Sequence, residues 1–232
     1  MTVGCFITGT DTGVGKTIVA AAMIRTFAQA GIPTAGMKPV ASGAVRTAEG
    51  LRNSDALELM AAASVAAPYA DVNPYCFERA ISPHLAARDV NLKVDLGLIV
   101  SAYARLAARS SCVIVEGAGG WLAPIASDAT MATLSMALQL PVILVVGLRL
   151  GCLNHARLTA EAIGRRKVEL VGWIASAVDP HFERAEDNLA ELAAILGAEP
   201  LDVLSHDPQG AARRIIARAR LRAISPFNHL SF

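Results

Sequence analysis

Residues 9–17, with the sequence GTDTGVGKT, join a short apolar run, VGCFIT, to an Ala-rich helical stretch. Glycines let the backbone curl until its N–H groups face an anion, and the start of the following helix adds the positive end of its dipole. In such a loop Lys16 reaches the outer phosphates of a nucleotide, and the Thr17 hydroxyl can ligate magnesium. The sequence therefore predicts a strand, a phosphate-binding loop and a helix in that order.

This loop is a variant of the usual Walker A pattern. That pattern has four residues between its first glycine and the Gly-Lys pair. Here five residues separate Gly9 from Gly15, and Thr10 stands in the usual glycine position. The alternative interpretation is a tight strand-to-helix turn that carries Lys-Thr by chance. The strand before the loop and the helix after it favour phosphate binding.

Short apolar runs and Ala-rich helical stretches alternate along the chain. The runs are VGCFIT, PTAGMKPV, SCVIVEG, PVILVVG and LVGWIASAV, and helices are predicted over residues 17–30, 96–108, 154–166 and about 183–196. Such alternation is typical of a parallel sheet with helices on both faces. No repeat or shift in composition divides the chain. We therefore predict one α/β domain over residues 1–232, of the P-loop NTPase-like class.

The balance of charges and the cysteines exclude several classes of protein. Apolar residues make up 53% of the chain and the formal net charge is +1, so neither disorder nor a positive field for nucleic acid is indicated. Cys5, Cys76, Cys112 and Cys152 form no C-x-x-C pair, which disfavours a zinc site and a disulfide framework. The N-terminus has no signal-peptide pattern. These features predict a cytoplasmic protein.

Two segments could suggest a membrane or a nucleic acid as partner. Residues 129–148 carry no charge and are about as long as a membrane span, but Pro141 divides them into a helical stretch and a β-branched strand. We therefore expect no membrane insertion. The basic run AARRIIARARLR near the C-terminus is predicted to form a final amphipathic helix. We do not expect it to bind nucleic acid, because the charge balance of the chain gives no wider positive field.

Phosphoryl chemistry also needs acidic metal ligands and additional positive charge at the outer phosphate. Glu116 ends the run CVIV and precedes a glycine-rich stretch, as a Walker B acid does, and Lys38 ends the second predicted strand. Ligands gather at the carboxyl ends of the strands in an open α/β sheet, so both side chains are expected beside the loop. The alternative for each is a solvated residue at a strand end. Asp55 could be a further metal ligand or only a helix cap.

Several motifs together resemble the dethiobiotin synthetase family. In that family's order and spacing, across roughly residues 3–180, the chain contains GTDTGVGKT, KPVASG, EGLRNSDAL, VNPY, SPH, VEGAGGW, LPVILVV and LGCLNHARLTAEAI. The resemblance implies that the chain uses ATP and Mg2+ to make dethiobiotin, a cyclic urea, from diaminopelargonate and carbon dioxide or bicarbonate. It also implies a homodimer.

The same resemblance implies roles for individual residues. Lys16 and Lys38 would be catalytic and neutralise the transferring phosphoryl group. Magnesium would be held by Thr17, Asp55 and Glu116. The nucleotide would contact Gly13, Val14, Gly15, Lys16, Thr17, Ile18, Asp55, Glu116, Gly117, Ala118, Gly119, Ser176 and Ala177. The diamine would contact Ser42 and, across the dimer interface, Gly151, Cys152, Leu153 and Asn154.

The helix that begins near Asn154 has a further predicted use. Small and polar residues precede it, and Asn154 is its predicted N-cap. The backbone N–H groups at such a helix start, together with the dipole, favour an anion. We therefore expect the carboxylate end of the diamine to bind there.

The implied mechanism needs no nucleophile from the protein. One amine would capture carbon dioxide as a carbamate, and a carbamate oxygen would attack the γ-phosphate of ATP. The second amine would then attack the activated carbonyl and expel phosphate as it closes the ring. Catalysis would rest on positioning and on cations near the developing charge.

Two segments depart from the family pattern. Ser176 stands where many members have an asparagine that reads the adenine edge, and residues 201–205 lack the Pro-Trp often found in a later nucleotide-base loop. A hydroxyl cannot offer the paired donor and acceptor of an amide. We therefore predict weak discrimination among nucleotide bases.

A ParA/MinD-like regulatory ATPase is the alternative from another functional class. Such proteins share the predicted fold and a variant phosphate loop, and they use hydrolysis to control assembly rather than synthesis. They typically have an additional lysine near the start of the loop, whereas residues 8–11 of this chain, TGTD, contain none. This difference favours the synthetase.

Overall fold

A computed structural model describes residues 2–206 and 216–230 of the chain. In chain order the strands are β1 (Val3–Gly9), β2 (Thr34–Met37), β3 (Val40–Ser42), β4 (Val45–Thr47), β5 (Gly50–Arg52), β6 (Tyr75–Phe77), β7 (Cys112–Gly120), β8 (Val142–Leu148), β9 (Leu170–Ala177) and β10 (Asp202–Leu204). The helices are α1 (Lys16–Gln29), α2 (Ser54–Ala62), α3 (Tyr69–Val72), α4 (Pro83–Asp89), α5 (Leu96–Ala107), α6 (Met131–Leu138), α7 (Cys152–Arg165), α8 (Ala185–Leu196) and α9 (Arg218–Arg222), followed by a 3-10 turn, Phe227–His229.

Six strands form the central sheet, in the order β10-β9-β8-β1-β7-β2. Every neighbouring pair in this sheet is parallel. Two small sheets flank it, a parallel pair of β3 with β6 and an antiparallel pair of β4 with β5. The carboxyl ends of β1, β7 and β2 therefore lie side by side, which is where the predicted site residues follow the strands.

Helices cover both faces of the central sheet, because successive apolar residues along its strands point to opposite faces and both sets are buried. Cys5 and Ile7 of β1 are buried with the apolar side of α1, whereas Phe6 is buried with α5 and α6 on the opposite face. Leu144 and Val146 of β8 pack with α7. The predicted α/β fold of the P-loop NTPase-like class is thus confirmed.

The C-terminal segment packs against α1. Phe27 and Phe227 have ring centroids 4.9 Å apart, and the Thr26 hydroxyl accepts a hydrogen bond from the backbone N–H of Ile216 at 2.9 Å. Of the predicted basic helix, the described part forms α9, and residues 211–215 lie outside the described residues. The role of this run stays a prediction.

The predicted elements agree with the structure except at several boundaries. The strand predicted to end at Glu116 continues as β7 to Gly120, and most of the predicted base loop at residues 201–205 is the edge strand β10. Asn154 is not the N-cap of α7, since the helix begins at Cys152 with Gly151 as its cap. Gly151 has φ +94°, a left-handed conformation that glycine adopts without strain, so the helix starts there.

The predicted break at Pro141 is confirmed, since α6 ends before it and β8 begins after it. In the described residues no helix has the length and apolar composition needed to cross a bilayer. The four cysteines are free thiols, as the sequence predicts.

Candidate active site

The phosphate loop is held in a curled conformation by two glycines with positive φ. Gly13 has φ +71° and Gly15 has φ +89°, values that side chains with a Cβ rarely adopt. The Lys16 ammonium donates a hydrogen bond to the Asp11 carbonyl oxygen at 2.7 Å, across the loop. The helix start at Lys16 and this ammonium thus present positive charge to the same space, which suits a polyphosphate.

The packing of Val14 explains why position 9 of the loop is a glycine. The Val14 side chain is fully buried, and it lies between Gly9 and Gly147. A Cβ on Gly9 would lie 2.6 Å from Cγ2 of Val14, and a Cβ on Gly147 would lie 2.8 Å from Cγ1. Because those distances are shorter than carbon atoms tolerate, Gly9 is needed for packing the loop against the sheet. This requirement is separate from phosphate binding.

Lys38 joins the two predicted acidic ligands. Its Nζ lies 2.6 Å from Oε1 of Glu116 and 2.7 Å from Oδ2 of Asp55. The Thr17 hydroxyl donates to the same Oε1 of Glu116 at 2.8 Å. The register between β2 and β7 brings Lys38 and Glu116 together. Met37, the last residue of β2, pairs with Val115, and Lys38 and Glu116 are the residues that follow. The structure therefore brings Thr17, Lys38, Asp55 and Glu116 together.

Burial and neighbouring charges shift the pKa values of three of these groups. Burial and the nearby Lys38 ammonium lower the pKa of Lys16 to about 8, against the opposing effect of the Glu116, Asp55 and Asp11 carboxylates. Burial also acts to lower the pKa of Lys38, but Glu116 and Asp55 outweigh it and raise that pKa. Burial raises the pKa of Glu116, and the Lys38 ammonium opposes the shift. Lys38 is therefore firmly protonated, whereas Lys16 titrates near pH 8.

Asp55 lies in the first turn of α2 and does not cap it. The cap is Asn53, whose Oδ1 accepts a hydrogen bond from the backbone N–H of Ala56 at 3.2 Å. The alternative interpretation of Asp55 as a helix cap is therefore wrong. Its carboxylate pairs with Lys38 instead.

The residues present fit a magnesium ion. Thr17, Asp55 and Glu116 supply the hydroxyl and carboxylate oxygens that Mg2+ prefers. Oε2 of Glu116 is buried and has no hydrogen-bond partner among the described residues. Such a carboxylate oxygen is costly unless a cation or a donor satisfies it. The described part of the chain contains no group of three His, Cys, Asp or Glu side chains suited to a metal. The Thr17 hydroxyl and the phosphate oxygens of the nucleotide would therefore complete the ligand set of Asp55 and Glu116.

A cavity of about 720 Å3 opens in front of these groups. Its walls are Thr12, Gly13, Gly15, Lys16, Thr17, Ile18, Lys38, Ala41, Ser42, Asn53, Asp55, Ala80, Ile81, Ser82, Pro83, Glu116, Ala118, Gly119, Ala123 and Pro124. Most predicted nucleotide-binding and catalytic residues, together with Ser42, therefore share one cavity. Sequence reasoning missed Asn53 and residues 80–83, although the motifs NSDAL and SPH contain several of them.

Four predicted nucleotide contacts do not line the cavity. Val14 and Gly117 lie behind the cavity wall, and the Gly117 carbonyl oxygen is 3.4 Å from Nζ of Lys38. Ser176 is buried at the end of β9, where a Cβ on Gly15 would lie 2.7 Å from its hydroxyl oxygen. Ala177 follows it. Of these residues, Ser176 therefore lies directly against the phosphate loop, at Gly15.

The turn before α7 lies outside the cavity. Gly151 and Asn154 are exposed, whereas Cys152 is 1% exposed and packs in the core below the helix. Arg149 precedes this turn and forms an ion pair with Asp11 of the phosphate loop. One ion pair thus connects the loop to the segment that the sequence predicts to bind the substrate carboxylate.

Solved structures share the fold at low sequence identity. The MinC:MinD cell division protein complex of Aquifex aeolicus matches with a TM-score of 0.57 and 15% identity, covering 91% of this chain and 86% of that chain. A ParA family ATPase from Chlorobium tepidum TLS matches with a TM-score of 0.54 and 13% identity, covering 91% and 88%. At this identity the likeness concerns the fold alone.

Curated relatives are much closer in sequence. Residues 4–212 match the AAA domain family. An ATP-dependent dethiobiotin synthetase BioD of Xanthomonas campestris pv. campestris is 45% identical over 216 residues, 93% of this chain and 96% of that protein. The enzyme of the same name from Pseudomonas paraeruginosa is 46% identical over 220 residues, 94% of this chain and 96% of that protein.

The fold and the curled loop facing two carboxylates define a P-loop nucleotide-binding protein. The relatives that match most of its length are ATP-dependent dethiobiotin synthetases, and the chain belongs to that family. The family resemblance seen in the sequence is thereby confirmed.

Proposed function

We propose that the cavity catalyses the ATP-dependent closure of diaminopelargonate and carbon dioxide to dethiobiotin, in biotin biosynthesis, with Mg2+ as the metal ion. The observation that carries this proposal is the meeting of Thr17, Lys38, Asp55 and Glu116 beside the phosphate loop. Two lysines and oxygen ligands suit phosphoryl transfer, in which the protein supplies positioning and charge.

The proposed reaction is that of the dethiobiotin synthetase family, and the groups that line the cavity suit it. One substrate amine adds to carbon dioxide and forms a carbamate, and a carbamate oxygen attacks the γ-phosphate in line and releases ADP. The second amine attacks the carbonyl carbon, forms the second C–N bond of the urea and expels inorganic phosphate. The two lysines near the loop, Lys16 and Lys38, neutralise charge on the transferring group. Ser42 lines the same cavity as Lys38 and would contact the carbamate.

Magnesium, when bound by Thr17, Asp55 and Glu116, supplies charge for the β- and γ-phosphate oxygens. Lys38 would then exchange part of its pairing with the carboxylates for pairing with the phosphoryl oxygens. Its raised pKa supports this role, because the ammonium keeps its charge throughout the working pH range.

We further propose a cytoplasmic homodimer whose partner subunit binds the carboxylate end of the diamine. The segment Gly151, Cys152, Leu153 and Asn154 lies outside the cavity beside the phosphate loop. A diamine that contacts both the cavity and this segment would therefore bridge two separate surfaces. The start of α7 has no side-chain cap, which suits an anion at its N–H groups. The free thiols suit a reducing compartment.

The decisive experiment incubates the purified chain with ATP, Mg2+, bicarbonate and diaminopelargonate. We expect dethiobiotin by mass spectrometry and ADP formation that depends on the diamine. ATP hydrolysis at the same rate with and without the diamine, and no dethiobiotin, would instead support a regulatory ATPase of the ParA/MinD kind. The matched control is Lys16→Ala, which removes the loop ammonium and should abolish both products.

A further inference from the structure

The segment VNPY, residues 72–75, has no role in the proposed reaction, yet it encloses the backbone of Lys38. The carbonyl oxygen of Val72 accepts a hydrogen bond from the Lys38 N–H at 2.8 Å, and the Tyr75 N–H donates to the Pro39 carbonyl oxygen at 3.1 Å. The Asn73 side-chain amide donates to the Lys38 carbonyl oxygen at 2.6 Å and to that of Tyr75 at 3.1 Å. Three of these hydrogen bonds fix Lys38 and Pro39, directly after β2, and the fourth holds the Asn73 side chain in place.

The other end of the Asn73 side chain leads to α2. Its Oδ1 accepts a hydrogen bond from the Tyr69 hydroxyl at 2.9 Å, and this hydroxyl accepts one from the backbone N–H of Asn53 at 2.7 Å. Asn53 is the N-cap of α2 and also donates from Nδ2 to the carbonyl oxygen of Ser42 at 3.3 Å. A continuous path of hydrogen bonds thus runs from Lys38 to the start of the helix that carries Asp55.

This path is buried at its two amides. Asn73 is 3% exposed and Asn53 is 4% exposed, so neither amide can exchange its partners for bulk water without opening the fold. The ring of Tyr69 is held from outside by the Arg52 guanidinium, 4.3 Å from the ring centroid. Burial raises the pKa of Tyr69 to about 12, so the hydroxyl keeps its proton and can donate to Asn73.

We propose that Asn53, Tyr69 and Asn73, called here the tyrosine–asparagine path, are positioning residues that set the distance between the Lys38 ammonium and the Asp55 carboxylate. The inference rests on the proposed function, since it concerns the metal and phosphoryl site. The path connects the three segments that carry Lys38, Ser42 and Asp55. The path acts through the backbone, because it bonds the carbonyl oxygen of Lys38 and the N–H of Asn53, two residues before Asp55. Loss of a group that orients a metal ligand typically weakens metal binding by about 10- to 100-fold.

A matched pair of tyrosine variants tests the inference. Tyr69→Phe removes the hydroxyl that accepts the N–H of Asn53 at the start of α2. Tyr75→Phe removes a hydroxyl that accepts the N–H of Asp95, the N-cap of α5, at 2.8 Å. Both variants therefore lose a hydrogen bond of the same kind at a helix start, but only α2 carries a site residue.

The readout is the affinity for Mn2+ in the presence of a non-hydrolysable ATP analogue, measured from free Mn2+ by electron paramagnetic resonance. We expect Tyr69→Phe to raise the dissociation constant of Mn2+ about tenfold, and to lower kcat for dethiobiotin formation more than it changes KM for the diamine. Tyr75→Phe should keep both values near those of the unmodified chain. Asn73→Ala breaks the same path and replaces Tyr69→Phe if that variant does not fold.

Two outcomes would overturn the inference. One is a Tyr69→Phe variant that loses as much thermal stability as Tyr75→Phe but keeps the original Mn2+ affinity and kcat, which would make the path purely structural. The other is an equal loss of Mn2+ affinity in both variants. The Mn2+ measurement contains no diamine and therefore does not depend on dethiobiotin formation. If the unmodified chain makes no dethiobiotin, the proposed function is contradicted, and the Mn2+ affinities of the variants still decide the positioning role.

Discussion

Lys38 and Glu116, 78 residues apart in the chain, form a buried ion pair with Nζ and Oε1 2.6 Å apart. Glu116 is 1% exposed and Lys38 is 4% exposed, so each charge depends on the other for its stabilisation. The same ammonium pairs with Asp55 at the cavity wall. One lysine thereby holds the two carboxylates together at the cavity, and in the proposed reaction it would present its charge to the phosphoryl group.

Replacing Lys38 should affect stability and catalysis together. Lys38→Met leaves Glu116 buried without its partner, so we expect a loss of about 3–5 kcal/mol in the free energy of unfolding at neutral pH. Turnover should fall by about 10²- to 10³-fold, because a cation at the developing charge is lost. Nucleotide binding should change little, since Lys16 and the loop remain. Urea denaturation, steady-state kinetics and titration calorimetry measure the three quantities.

The double variant Lys38→Met/Glu116→Gln separates the two effects. It removes both members of the buried pair, so most of the lost stability should return while turnover stays low. Near-normal turnover in Lys38→Met would remove Lys38 from the mechanism.

The lowered pKa of Lys16 predicts that nucleotide binding takes up protons. In the free protein this pKa is about 8. A bound triphosphate favours the ammonium form, so binding should take up about half a proton per site at pH 8 and little at pH 6.5. ATP affinity should therefore weaken as the pH rises above about 8. Calorimetry in two buffers of different ionisation enthalpy measures the uptake, and equal heats in both buffers at pH 8 would refute it.

The serine at position 176 predicts relaxed base selectivity. Each base hydrogen bond lost with the amide is worth on the order of 1 kcal/mol. We therefore expect kcat/KM for ATP, GTP and CTP to lie within about tenfold of one another. Ser176→Asn should increase the preference for ATP. A strong preference for ATP in the unmodified chain, in side-by-side turnover assays, would count against this prediction.

The proposed sharing of the substrate site between two subunits predicts complementation between damaged subunits. Lys16→Ala inactivates the loop, and Leu153→Asp/Asn154→Asp places negative charge where the substrate carboxylate would bind. A hybrid dimer keeps one intact composite site, so an equal mixture refolded together should recover roughly a quarter of full activity. Each variant alone is the control. Hybrid dimers that form but show no recovery would mean that each subunit binds its substrate alone.

The sequence by itself determined the order of elements and the phosphate loop. Apolar periodicity and glycine placement act over a few residues, so β1, the loop and α1 could be predicted within one residue at each end of the helix. The roles of Lys16 and Thr17 in phosphate binding could be predicted from the same short segment. The family could be recognised because its motifs are also local.

Only the tertiary structure decided which distant residues meet. Register between β2 and β7 places Lys38 against Glu116, and Asn53 rather than Asp55 caps α2, so the Asp55 carboxylate reaches Lys38. The need for Gly147 on β8 also depends on a distant contact, with Val14 of the phosphate loop. These relations depend on strand order and packing between segments far apart in the chain, and local periodicity contains no information about such distances.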